Sequence, residues 1–133
     1  MEYTLEKLEV YQLAESFGDK IWDIVIQWNS FEKETVGKQM VRSADSISAN
    51  IAEGYGRYFY KESKQFYYYS RGSLQEAKSG VSKCRRRKLI EINTCDQLLA
   101  EAEKLLAMLN SFIRFIRNSK SHNLKTNGNE LTD

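Results

Sequence analysis

Basic side chains recur at a regular spacing in the second half of the chain, and they could bind the phosphates of a nucleic acid. The segment 57–88 carries a formal charge of +8, within a chain whose net charge is only +2. Four of its cations are seven residues apart and share one face of a helix over about 31 Å. We call these four the basic rail: Lys64, Arg71, Lys78 and Arg85. A solvated helix face is the alternative interpretation.

Other cations extend this pattern at both ends. Arg57 lies one heptad before the basic rail, Lys61 lies between them, and three consecutive cations follow Arg85. A row of cations that ends in a dense cluster could follow several phosphates along a nucleic-acid backbone. The candidate nucleic-acid-binding residues are therefore Arg57, Lys61, Lys64, Arg71, Lys78, Arg85, Arg86, Arg87 and Lys88.

Aromatic residues are interleaved with these cations. They are Tyr55, Tyr58, Phe59, Tyr60, Phe66, Tyr67, Tyr68 and Tyr69. Aromatic rings beside cations can stack on unpaired bases, and they can equally pack in a core or between subunits. We expect core or subunit contacts for Phe66 and Tyr67, and both interpretations stay open for Tyr58, Tyr60 and Tyr68.

A polar stripe precedes the basic segment and follows helical spacing. Its members are Gln39, Ser43, Ser46, Asn50 and Glu53. Such a row of hydrogen-bonding groups could join subunits or order the turn EGYGR that follows it, with Asn50 and Glu53 as the candidates for contact with the turn. Ordinary solvent exposure is the alternative.

The residues that most enzymes need are scarce. His122 is the single histidine, whereas a di-metal site in a helical bundle needs a Glu-x-x-His motif on each of two helices. Cys84 and Cys95 form no CxxC motif, and neither a GxSxG elbow nor a phosphate-binding GxxxxGK[ST] loop occurs. We expect no enzymatic activity, no metal and no cofactor.

Four amphipathic helices must position these residues. Apolar or small residues recur at steps of three and four in segments of about 6–29, 34–53, 60–88 and 94–116. Thr94 and Gln97 form a capping box for the last helix, which has a second apolar row of Leu99, Leu106 and Ile113. The four seams are Val10, Ala14, Phe17, Ile21, Ile24 and Trp28; Met40, Ala44, Ile47 and Ile51; Phe66, Ser70, Ser73, Ala77, Gly80 and Cys84; and Leu98, Ala102, Leu105, Leu109, Phe112 and Ile116.

Short connections between these helices predict an all-α, antiparallel, up-down-up-down four-helix bundle over residues 1–117. Residues 118–133 have no apolar periodicity and are expected to form a disordered polar tail. No apolar run is long enough to span a membrane and no signal region precedes the first helix, so we expect a cytoplasmic protein with no membrane partner.

Two motifs carry a resemblance to a known family. Gln39 is followed by RSADSISANIAEGYGR at residues 42–57 and by GSLQEA at residues 72–77. In this combination the chain, over about residues 5–117, resembles the four-helix bundle proteins of the 23S rRNA-intervening sequence family, which are related in fold to accessory proteins of diversity-generating retroelements. The resemblance implies a homopentamer of four-helix bundles and a role in binding nucleic acid, RNA rather than DNA.

Taken together, the residues and the resemblance predict a non-enzymatic nucleic-acid-binding accessory protein that acts as a homo-oligomer. The alternative is a structural assembly module, which would recruit a protein partner through the acidic first helix or the aromatic cluster. The two differ in salt dependence, because phosphate binding weakens steeply with salt whereas apolar recruitment persists.

Overall fold

The computed structural model describes the backbone of residues 4–57 and 60–127 and the side chains of residues 4–57 and 61–118. A short 3-10 turn, Leu5–Lys7, leads into helix α1, Glu9–Val25. Helix α2 runs without a break through Ser30–Glu32, a π-helical stretch Lys33–Gly37 and Lys38–Tyr55. Helix α3 is Tyr60–Arg86 and helix α4 is Ile92–Asn127. The described residues contain no strand, which confirms the predicted all-α class with four helices.

The helices enclose one core. Each helix packs against the next one in the chain, and α4 also packs against α1. The predicted seam of α2 is confirmed, because all four of its residues are at most 2% exposed. Among the described residues, no helix is both long and apolar enough to cross a membrane. The core comprises Val10, Ala14, Phe17, Ile21, Val25, Met40, Ala44, Ile47, Ile51, Tyr67, Leu74, Ala77, Val81, Cys84, Ile90, Cys95, Leu98, Ala102, Leu105, Leu109 and Ile113.

The predicted seam of α3 is wrong at two of its six positions. Phe66 and Ser73 are partly exposed, and the residues that follow them, Tyr67 and Leu74, face the core instead. Val81 is also buried, but the predicted close contact at Gly80 is confirmed, because a Cβ atom there would clash with Sδ of Met40 on α2. Two overlapping sets of residues satisfy steps of three and four on this helix, and they share Ser70, Ala77 and Cys84. The core selects the set with the larger apolar side chains, because that set removes more apolar surface from water.

Helix α2 begins earlier than the sequence pattern predicts. The side chain of Asn29 caps it by accepting a hydrogen bond of 2.9 Å from the backbone N–H of Glu32. Gly37 ends the π-helical stretch, where a Cβ atom would lie 2.7 Å from Cγ1 of Val25 and 3.4 Å from the Trp28 ring. A glycine at residue 37 therefore lets α1 and α2 approach closely just after the connection.

Helix α4 differs from prediction at both ends. It starts at Ile92, so Thr94 lies within the helix and the predicted capping box is wrong. It continues to Asn127, so residues 118–127, which were expected in the polar tail, are helical. The segment 92–127 contains no glycine or proline to end the helix, and Gly128 follows it in the sequence. Residues 128–133 of the predicted tail lie outside the described residues.

Candidate nucleic-acid interface

Three of the four residues of the basic rail contact side chains of α4. Nη1 of Arg71 donates a hydrogen bond of 2.9 Å to Oδ1 of Asn110, and its guanidinium lies 5.0 Å from the centre of the Tyr68 ring. Lys78 forms an ion pair with Glu103. Arg85 forms one of 2.9 Å with Asp96. The basic rail therefore lies along the junction of α3 and α4, where carboxylates neutralise part of its charge.

Arg57 is also engaged within the chain. Its guanidinium lies 3.0 Å from a carboxylate oxygen of Glu53 and 4.9 Å from the centre of the Phe66 ring. The rings of Phe66 and Tyr69 are perpendicular, with their centres 5.8 Å apart. These contacts connect the end of α2 to the first turns of α3. Lys61 is exposed in the first turn of α3.

Two aromatic positions of the predicted stacking cluster, Tyr58 and Phe59, lie outside the described residues, as does the side chain of Tyr60. Tyr67 is buried in the core. Its ring packs edge-on with that of Phe112, and the two ring centres are 5.1 Å apart. Tyr55, Tyr68 and Tyr69 are exposed.

The C-terminal end of α3 carries the densest positive charge. We call Lys83, Arg86, Arg87 and Lys88 the end cluster. Arg86, Arg87 and Lys88 are exposed and Lys83 is partly exposed. Among the side chains that the structure describes, no carboxylate forms an ion pair with any of these four. Lys83 was absent from the sequence-based candidates, although its spacing of one helical turn from Arg87 could have identified it.

The polar stripe of α2 makes its hydrogen bonds largely within its own helix. Ser43 is buried and donates to the carbonyl of Met40, Ser46 donates to that of Arg42, and Asn50 donates to that of Ser46. These are local bonds to the preceding turn. Glu53 reaches Arg57, beyond the end of the helix, and Gln39 is exposed.

An open acidic groove of about 430 Å³ lies along α1. Burial raises the pKa of the nearby Asp45 carboxyl, and the charges of Asp19 and Glu15 raise it further. Negative charge is therefore concentrated on α1 and the adjoining face of α2, whereas the end of α3 is positive. The groove is lined by Glu6, Tyr11, Gln12, Glu15, Ser16, Asp19, Lys20 and Asp23.

The two cysteines are buried between α3 and α4. Burial raises the pKa of the Cys84 thiol to about 11, so the reactive thiolate form is rare at neutral pH. Within the described part of the chain, no group of three His, Cys, Asp or Glu side chains is arranged to hold a metal ion.

The fold and the charge distribution define a class: a four-helix, all-α protein with one strongly basic helix. A narrower assignment comes from comparison with known proteins. Residues 6–111 match the family model of the 23S rRNA-intervening sequence protein, and the chain belongs to that family. The resemblance carried by the motifs at residues 42–57 and 72–77 is thereby confirmed.

A solved structure has the same fold. It is the crystal structure of a protein with unknown function from the S23 ribosomal protein family of Bacteroides thetaiotaomicron VPI-5482. The two chains are 18% identical and superpose with a TM-score of 0.70, over 78% of this chain and 97% of the other. A comparison with curated proteins finds no match.

Proposed function

We propose that this protein is a non-enzymatic RNA-binding accessory protein that acts as a homo-oligomer, a pentamer, of up-down-up-down four-helix bundles. The end cluster carries this proposal, because its cations have no carboxylate partner among the described side chains and are accessible to phosphates. Neutralising phosphates releases the counterions that they hold, which makes such binding favourable.

Contacts between neighbouring helices support the up-down-up-down arrangement. Arg71 contacts Asn110, whereas Arg85, farther along α3, contacts Asp96, which is earlier on α4. Residue numbers that rise along one helix and fall along its neighbour are typical of antiparallel helices. The same reversed order occurs where α1 meets α2, in the pairs Glu15–Ser48 and Gly18–Asp45, and where α2 meets α3, in the pairs Met40–Gly80 and Ile47–Ser70.

The family description supports RNA as the polyanion. It refers to an intervening sequence of 23S rRNA, whereas nothing in the charge pattern separates RNA from DNA.

The end cluster is also placed where the α3 macrodipole is negative, so the cations are stabilised at this helix end before any RNA binds.

The double variant Arg86→Gln/Arg87→Gln should weaken binding of a labelled single-stranded RNA about tenfold near physiological salt. Two lost phosphate contacts should reduce the slope of log affinity against log salt by about 1.4 in magnitude. Fluorescence anisotropy between about 50 and 200 mM salt measures both quantities. The matched control is Lys104→Gln/Arg114→Gln, which removes the same charge from exposed positions of α4.

Equal losses in the two double variants would mean that net charge alone governs binding, and no site at the end of α3 would be needed. Absence of RNA binding by the wild-type protein would overturn the proposed function. The acidic groove would then favour the other candidate, a module that recruits a basic protein partner through α1.

Self-association is supported by large apolar side chains on the surface. Trp22 is exposed in the last turn of α1, Ile26 is exposed directly after the end of that helix, and Phe115 is exposed on α4. Covering such side chains in an interface removes apolar surface from water. Light scattering on the purified protein should give a mass near five times 15.5 kDa. A monomer at micromolar concentration would contradict the proposed assembly.

A further inference from the structure

The end of α3 has a backbone geometry that usually requires glycine. The N–H of Leu89 donates to the carbonyl of Cys84 at 2.9 Å, and the N–H of Lys88 donates to that of Arg85 at 3.2 Å. This pair of bonds is the Schellman motif, whose turning residue adopts the left-handed conformation. Here that residue is Lys88, with a φ of 61°.

Lysine is a costly choice at this position. In the left-handed conformation, the Cβ atom of an L-residue approaches the following carbonyl oxygen, and glycine avoids that approach. Among the described residues, Lys88 is the only non-glycine with a positive φ. The residues that follow hold the turn in place, because Leu89 packs against the core and Ile90 is 7% exposed within it. A strained residue that its surroundings maintain is a candidate for a functional role.

The turn also explains how the charge is presented. It reverses the chain at the helix end, so that Leu89 and Ile90 return to the core while Lys88 stays exposed beside Arg86 and Arg87. Cations inside the last helical turn already complement the macrodipole. A further cation on the turning residue adds little to that stabilisation, but it widens the positive surface beyond the end of the helix.

We propose that Lys88 binds an RNA backbone phosphate, and that this contact is the function of a lysine at the left-handed position. This inference rests on the proposed function and assigns the phosphate site to the turn after α3. Its distinguishing feature is that stability and binding should change in opposite directions when lysine is replaced by glycine.

Three variants separate strain from charge. Lys88→Gly removes both, and it should raise the melting temperature by about 3 to 5 °C while weakening single-stranded RNA binding about fourfold. Lys88→Gln removes the charge but keeps the strain, so it should weaken binding equally without raising the melting temperature. Lys88→Arg keeps both features and should bind as the wild type does. Lys104→Gln is the matched control for loss of one exposed charge.

The outcomes discriminate between this inference and the proposed function. Wild-type affinity in Lys88→Gly, together with weakened binding in Arg86→Gln/Arg87→Gln, would overturn the role of Lys88 and leave the proposed function intact. A lower melting temperature for Lys88→Gly would show that the lysine is structural, which also overturns the inference. If the wild type binds no RNA, both proposals fall together.

Discussion

Replacing Leu74 by alanine should lower the free energy of unfolding by about 2 to 5 kcal/mol. Leu74 is 0% exposed in the middle of α3, where its side chain belongs to the core. Truncation removes buried methyl and methylene groups and leaves a cavity that the neighbouring helices cannot fully close. Urea denaturation followed by circular dichroism measures the loss, and equal protein concentrations are required because self-association would add to the apparent stability.

Phe66→Ala is the informative comparison for Leu74→Ala, because it tests the register that the small-residue seam predicted. Phe66 is partly exposed, and its described ring contacts are with Arg57 and Tyr69 near the start of α3. Its truncation should therefore cost clearly less than that of Leu74, despite the larger side chain. A greater loss for Phe66→Ala would return Phe66 to the core and contradict the register of α3 described here.

The contrast between α2 and α3 explains how far the sequence pattern could predict the core. On α2 a single set of apolar residues fits steps of three and four, so Met40, Ala44, Ile47 and Ile51 were predicted and are buried. On α3 small and apolar residues form two overlapping sets, and periodicity cannot choose between them. Leu74 and Val81 face inward because they remove more apolar surface from water than Ser73 and Gly80 would, so side-chain size and not spacing distinguishes the two sets.

The candidate site was predictable in its composition but not in its contacts. The cations of α3 are evident from the sequence, and three residues of the basic rail, Arg71, Lys78 and Arg85, lie on the face of α3 that meets α4. Their partners lie on a different helix, since Arg71 contacts Asn110 and Lys78 contacts Glu103. Side chains that are distant in sequence meet only after the helices pack. Local spacing therefore could not separate the paired cations of the basic rail from the end cluster.

The turn after α3 was missed for a related reason. Sequence patterns identify the end of a helix mainly by glycine or proline, and this turn contains neither. Lys88 adopts the conformation that glycine would supply, because the path of the chain is fixed by Leu89, which packs against the core, and by Ile90, which is buried in it. The energy that determines this turn is thus tertiary, and the predicted end of α3 at residue 88 extended two residues past the observed end at Arg86.

Gly54→Ala should destabilise the protein by about 1 to 3 kcal/mol. A Cβ atom at residue 54 would lie 2.5 Å from Cε1 of Tyr67. The Tyr67 ring has little room to move, because it is 2% exposed and packs edge-on against Phe112. The added methyl group would therefore separate α2 from α3 or force the Tyr67 ring out of its place. Thermal or urea unfolding at one protein concentration measures the change.

The same chemical substitution at Gly72 should have the opposite sign. Gly72 lies on the exposed side of α3, and a Cβ atom there would meet nothing within 4 Å. Alanine should stabilise the helix by about 0.5 to 1 kcal/mol, because it restricts the unfolded chain more than glycine does. Gly54 is therefore required by the close approach of α2 to α3, whereas Gly72 is not required by packing within this chain.

If Gly54→Ala were as stable as Gly72→Ala, the Tyr67 ring would not occupy the position described. If Gly72→Ala were the destabilised variant, this face of α3 would be covered in the assembled protein, and the loss should then shrink as dilution dissociates the wild-type assembly.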